Sequence, residues 1–289
     1  MKRRLVTIGC ALGLSALSSG CWSSDDRFSV LTYNVQALPG TLAEHDPQTT
    51  LPIISPKLNE YDLVLIQENF FYWNQLASKT HHRYVSSPQQ GKAFRANDGL
   101  TRFSYLPFGV ADHTRVEWVT CNGFLTDDND CLAMKGFSVA THLLYYNLGV
   151  DVYNIHMDAG SSSGDRLARA QQISQLVQYI NTRSATRAVI VAGDTNLTGS
   201  DKDLLENLLT GAGLTDSCRA LDCGDESRID RVMYRSSADI ELVPLKWKIP
   251  TEFVDEKGEA LSDHVPVMVE FQFRLPSYYV FDKFDASIL

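Results

Sequence analysis

Residues 261–267 read LSDHVPV and place Asp263 and His264 side by side, between an apolar position and the start of a strand-like run. An acid beside an imidazole fills a core poorly. It suits a general base held next to a metal-bound phosphate. Four further polar clusters close four other strand-like runs: Asn34, Gln67-Glu68, His156 with Asp158, and Asp194 with Asn196, and Asp230 adds another acid. Glu68 is the oxygen ligand that Mg²⁺ takes, since that ion keeps several waters and binds one or two protein carboxylates. Asn34 could orient it or touch a phosphate oxygen. Asp194 and Asn196 lie two positions apart and so face one side of an extended chain; one could take a proton from a water that the other holds. His156 is a donor for a non-bridging oxygen. His264 could serve as base or as charge partner, with Asp230 fixing its tautomer. Together these groups equip a site for attack by water on a phosphate ester beside a cation.

The elements that must bring them together are legible as strands. Residues 28–35 (FSVLTYNV) alternate and are rich in β-formers. Residues 61–66 (YDLVLI) and 188–192 (AVIVA) are nearly continuous apolar runs, the mark of strands buried on both faces. Residues 137–144 and 150–155 suggest an antiparallel pair; 116–120, 229–234 and 265–273 complete the strands, with a loop carrying Trp247 before the last. Asp165 stands ahead of an amphipathic helix over 166–182, and 201–210 reads as a shorter one. Helix is also expected around 50–59 and from the aromatic stretch 70–76, which packs in the core or walls the substrate mouth. Hairpins mixed with strand–helix–strand units imply an α/β (α+β type) domain of two mixed sheets packed face to face, helices outside.

With 289 residues and 44% hydrophobic content, the chain can bury a sizeable core, and no linker or repeat divides it. The net charge of −9 argues against a high-affinity duplex-binding surface. Lys2, Arg3 and Arg4, a short apolar stretch and Ser18-Ser19-Gly20 before Cys21 read as an export signal over 1–20. Cys21 resembles a bacterial lipoprotein processing site, which would anchor the chain to a cell-envelope or outer membrane through a tether over 21–27; plain secretion is the alternative. Four cysteines remain in the exported chain, an arrangement that favours disulfides. The short loops suggest Cys121–Cys131 and Cys218–Cys223. Asp127, Asp128 and Asp130 in the first loop fit no standard calcium pattern. The catalytic domain is expected over 28–275, followed by a tail over 276–289, as a monomer without a protein partner.

Asn34 after LTY, Gln67-Glu68, Gly193-Asp194-Thr195-Asn196, Ile229-Asp230 and Ser262-Asp263-His264, in this order, resemble the endonuclease/exonuclease/phosphatase superfamily. That deoxyribonuclease I-like group includes apurinic endonucleases, inositol polyphosphate phosphatases and bacterial neutral sphingomyelinases. The resemblance implies a four-layered sandwich and a phosphodiesterase dependent on Mg²⁺, with Mn²⁺ or Ca²⁺ as alternatives. It implies a metal at Glu68 with Asn34 and Asp263 nearby, phosphate contact by His156 and Asn196, water activation by Asp194, and His264 oriented by Asp230. Lys135-Gly136-Phe137 is similar to a feature of secreted sphingomyelinase-like members, so a phospholipid headgroup is the expected substrate. His156-Met157-Asp158 departs from their His-Leu-Gln; Asp158 is a further site group or a turn cap. A nuclease acting on nucleic acid and a non-catalytic surface lipoprotein are the rival readings.

Overall fold

The computed structural model describes residues 26–92, 94–124 and 129–276. The export signal, Cys21, Asp127, Asp128 and nearly all of the tail lie outside the described residues.

Twelve strands form two six-stranded sheets. The first sheet takes β1 (Arg27–Asn34), β2 (Leu63–Gln67), β3 (Tyr84–Ser86) and β4 (Thr101–Ser104). The second takes β5 (Thr114–Glu117), β6 (Gly136–Tyr145), β7 (Leu148–His156), β8 (Ala188–Asp194), β9 (Thr215–Asp216) and β10 (Asp230–Arg235). The chain then returns to the first sheet with β11 (Glu241–Lys248) and β12 (Val267–Arg274), giving the orders β11-β12-β1-β2-β4-β3 and β5-β6-β7-β8-β10-β9. Helices α1 (Pro47–Lys57) and α2 (Trp73–Ala77) cover the outer face of the first sheet; α3 (Ser163–Arg183) and α4 (Lys202–Ala212) cover the second, and α5 (Ser217–Ala220) is one short turn. The result is the four-layered sandwich expected from the sequence. No helix among the described residues is long and apolar enough to cross a membrane.

The period of two along each strand sorts side chains between layers. On β1, Leu31 and Tyr33 face α1, while Phe28 and Val30 join Leu63, Leu65, Val150, Val152 and Ile190 between the sheets. Val189 and Val191 face outward against Ile173, Leu176 and Leu208 of the helices.

Two details differ from the sequence reading. Trp247 lies within β11, an edge strand whose register shifts between Pro244 and Lys246; the proline and lysines that read as a loop are tolerated because one edge of this strand is unpaired. Helix α3 starts at Ser163 with Ser162 as N-cap, and Asp165 is the third residue of a reciprocal capping box. His82 is buried, and its Nε2 lies 2.8 Å from the Tyr61 carbonyl. Both disulfides, Cys121–Cys131 and Cys218–Cys223, are present.

Candidate active site

Strand register assembles the site. In the first sheet β1 and β2 run parallel and set Asn34 beside Gln67. In the second, β7 and β8 run parallel and set His156 beside Asp194; antiparallel β10 adds Asp230 opposite Asp194. The ends of β1, β2, β7 and β8 and the start of β10 meet at one pole of the sandwich, where the loop before β12 contributes Asp263 and His264.

Close approach of β7 and β8 requires Gly193. A Cβ there would lie 2.0 Å from the Ile155 carbonyl oxygen, backbone that cannot give way. Gly193→Ala is therefore expected to destabilise the fold by about 3 kcal/mol, read by urea denaturation; a variant as stable as wild type would remove this constraint. Glu68 and Asn196 both adopt left-handed backbone, φ 58° and 50°. Such conformations cost energy and cluster where a side chain is aimed rather than packed.

Two groups of donor atoms, each within 4.8 Å of one another, share Asp194: Glu68 with His156, and Asp230 with His264. Asn34 bridges them. Its Nδ2 donates to Glu68 Oε1 at 2.9 Å and to Asp194 Oδ2 at 3.0 Å. Its Oδ1 accepts from the Gln36 backbone at 3.0 Å. Asn34 thus orients two carboxylates and offers them a donor. Asp263 stands apart from both donor groups: its Oδ2 accepts from Gln36 Nε2 at 2.6 Å. Asn196 donates from its backbone to Asp194 Oδ1 at 2.9 Å and from its side chain to the Met157 carbonyl at 3.0 Å.

Burial decides the charges. It pushes the Glu68 carboxyl up, against Lys135 and the Asn34 bond. It also raises Asp194, to about 6, with the Asp230 carboxylate adding to the effect. His156 is held well below the imidazole range by burial and by the Lys135 charge, so its ring is neutral. Both its ring nitrogens are buried without a hydrogen-bond partner, with Nε2 3.6 Å from Glu68 Oε1 and 3.7 Å from Asp194 Oδ2. A buried ring with unmet nitrogens facing two carboxylates fits a divalent cation and its bound phosphate. His264 behaves oppositely. Burial alone would lower it, but the 2.7 Å bond from Nδ1 to Asp230 and the fields of Asp230, Asp194 and Asp263 carry it to about 10. Asp230→Asn removes the leading upward cause. In metal-free protein the His264 imidazole titration, followed by NMR, is expected to fall from about 10 towards 6.5; an unmoved midpoint would show that Asp230 does not hold the proton.

Lys135 is the residue whose place the sequence did not reveal. It pairs with Asp130 and lies 3.5 Å from the Met157 carbonyl. With Glu68 it lines a cleft of about 470 Å³ whose walls include Leu42, Phe70, Phe71, Phe94 and Leu132. Asp158 is not at the donor groups: it accepts from the Asn122 backbone at 2.7 Å and from Gln172 at 2.6 Å, tying the first disulfide loop to α3.

The endonuclease/exonuclease/phosphatase family model matches residues 31–264. The chain belongs to this family. Its members are phosphoester hydrolases dependent on a divalent metal. A sphingomyelinase of Mycobacterium tuberculosis (strain H37Rv) is 32% identical over 275 residues, covering 85% of this chain and 53% of that protein. An equally similar sphingomyelinase occurs in Mycobacterium bovis. The chain thus spans about half the length of the curated relatives it matches. Among solved structures, sphingomyelinase C from Streptomyces griseocarneus aligns with a TM-score of 0.64 at 18% identity, covering 84% of this chain and 99% of that one. A humanized D. rerio TDP2 gives 0.64 and 18%, covering 85% and 99%. A Staphylococcus aureus beta toxin mutant with bound magnesium ions gives 0.61 and 16%, covering 84% and 98%. At these identities the likeness is one of fold.

Proposed function

We propose that the protein is an exported, Mg²⁺-dependent phosphodiesterase that releases the headgroup of a phospholipid, as a sphingomyelinase does. The observation that carries this reading is the Asp194-centred pair of donor groups beside a cleft walled by aromatic and aliphatic side chains. Glu68 would hold the cation, with neutral His156 offering a ring nitrogen to the phosphate or the metal. When bound, the cation neutralises phosphate charge and lowers the pKa of a coordinated water. Asp194 would accept a proton from the attacking water, with its carboxylate held in place by the Asn196 backbone N–H at 2.9 Å, and Asn196 would be the neighbouring contact for the phosphate. The His264 ring, charged through Asp230, sits 3.7 Å from Asp194 and balances charge that grows on the phosphate oxygens. Attack would form the new P–O bond as the P–O bond to the lipid alcohol breaks, and the leaving oxygen would take up the proton that Asp194 accepted from the water.

The domain is assigned to 28–275, behind a signal over 1–20 and a tether over 21–27, with Cys21 as the lipid attachment point. Support comes from the charge pattern of the first residues and from two disulfides, which suit an oxidising compartment. The nuclease reading loses ground on the cleft walls, where Lys135 is already paired with Asp130; single-strand binders instead combine cationic grooves with stacking aromatics. The test is phosphocholine release from sphingomyelin vesicles against nicking of plasmid DNA, both with Mg²⁺. Release without nicking is expected. Nicking without release would replace the lipid reading with the nuclease one, and activity on neither nor on other phosphodiesters would favour a binding module.

A further inference from the structure

Between the apolar core and the site lies a layer of side-chain amides that the chemistry above does not use. Gln67 and Asn154 are both 0% exposed and face each other across the two sheets. Gln67 Nε2 donates to Asn154 Oδ1 at 2.7 Å and to Thr32 Oγ1 at 3.1 Å. Asn154 Nδ2 donates to two backbone carbonyls of the opposite sheet, Ile66 at 3.0 Å and Thr101 at 3.1 Å. One side chain of β7 is therefore bonded to both β2 and β4.

This bridge sits directly beneath the donor atoms. Gln67 immediately precedes Glu68, and Asn154 stands two residues before His156, on the same inner face of β7. Glu68 and His156 come from different sheets, and their donor atoms lie 3.6 Å apart. Ladder hydrogen bonds fix register within a sheet. The apolar contacts between sheets are non-directional and define that spacing only loosely; hydrogen bonds of set length and angle define it closely. Apolar residues of the same shape would fill this volume without the desolvation that two buried amides incur. Packing alone therefore does not account for them.

Resting on the reading of this cluster as a divalent-metal hydrolase site, we propose that Gln67 and Asn154 are positioning residues. Their cross-sheet bridge sets the Glu68–His156 spacing and, through it, the affinity of the site for its cation.

The test uses the mature chain carrying Gln67→Met, Asn154→Leu or both. Mn²⁺ binding is titrated by the electron paramagnetic resonance of the free ion, and hydrolysis is followed against Mg²⁺ concentration. Each variant is expected to bind Mn²⁺ about 10- to 100-fold more weakly, the range for groups that orient metal ligands. The Mg²⁺ needed for half-maximal rate should rise by the same factor, with most of the rate recovered at saturating metal. The double variant leaves neither amide facing a lost partner and guards against misfolding of the single ones; Asn154→Ser, which keeps a donor and an acceptor, is expected to fall between wild type and Asn154→Leu. Leu176→Ala, on the buried face of α3, is the control: it lowers the melting temperature and leaves Mn²⁺ affinity unchanged. Folded bridge variants with wild-type Mn²⁺ affinity would overturn the proposal, as would an equal loss in Leu176→Ala. A wild-type protein that binds Mn²⁺ but cleaves no phosphodiester would sink the functional reading and leave the positioning role standing. One that binds no Mn²⁺ ends both.

Discussion

Replacing His264 by alanine is expected to lower kcat/KM by about 10³- to 10⁴-fold, with the fold intact. The ring sits at the rim of the site, its side chain 15% exposed, so its loss opens little core volume. Its charge is what matters. The Asp230 bond keeps the imidazole protonated far above neutral pH, and it faces Asp194 at 3.7 Å. Without it, the phosphate loses a positive partner. In metal-free protein Asp194 also loses the positive charge of His264, which draws its pKa down against burial and Asp230. His264→Gln, which keeps a donor but no charge, should recover only part of the rate. Circular dichroism and thermal melting would verify folding. A folded His264→Ala enzyme within ten-fold of wild type would remove the ring from the reaction.

Much of this site was legible because strands alternate. On β1, residues 28, 30, 32 and 34 are Phe, Val, Thr and Asn; on β7, residues 150, 152, 154 and 156 are Val, Val, Asn and His. Each inner face passes from apolar core to polar residues at the site end, Thr32 and Asn34 on β1 and Asn154 and His156 on β7. The polar residues at strand ends could therefore be picked out from the sequence, and register then placed them together. What could not be read is whatever depends on loop paths. Asp263 and His264 are neighbours in sequence, yet Ser262 and Gln36 hold the Asp263 carboxylate away from the cluster while Asp230 draws in the ring. Lys135 reaches the cleft only because Asp130, in the disulfide-closed loop, pairs with it there. The Gln67–Asn154 bridge joins positions 87 apart on different sheets, and no local pattern announces such a pair.

Removing divalent metal with a chelator is expected to abolish hydrolysis, and Mg²⁺ to restore it. In Glu68→Gln the Mg²⁺ required should rise by about 100-fold or more, since a direct ligand counts for more than the outer groups whose loss costs 10- to 100-fold. Stability should move the other way. Burial raises the folded-state pKa of Glu68 above its unfolded value, so the ionised carboxylate weakens the metal-free fold at pH 7. That penalty vanishes as pH falls below the unfolded pKa of 4.5 and the group is protonated in both states. Glutamine keeps an oxygen for the Asn34 amide and carries no charge to desolvate. Metal-free Glu68→Gln should therefore melt above wild type at pH 7, and the gap should close towards pH 4.5. Two opposed shifts from one substitution separate a ligand, which weakens the fold until its cation arrives, from a structural acid, whose loss would lower both. A variant that melts lower and keeps its Mg²⁺ dependence would place Glu68 outside the metal site.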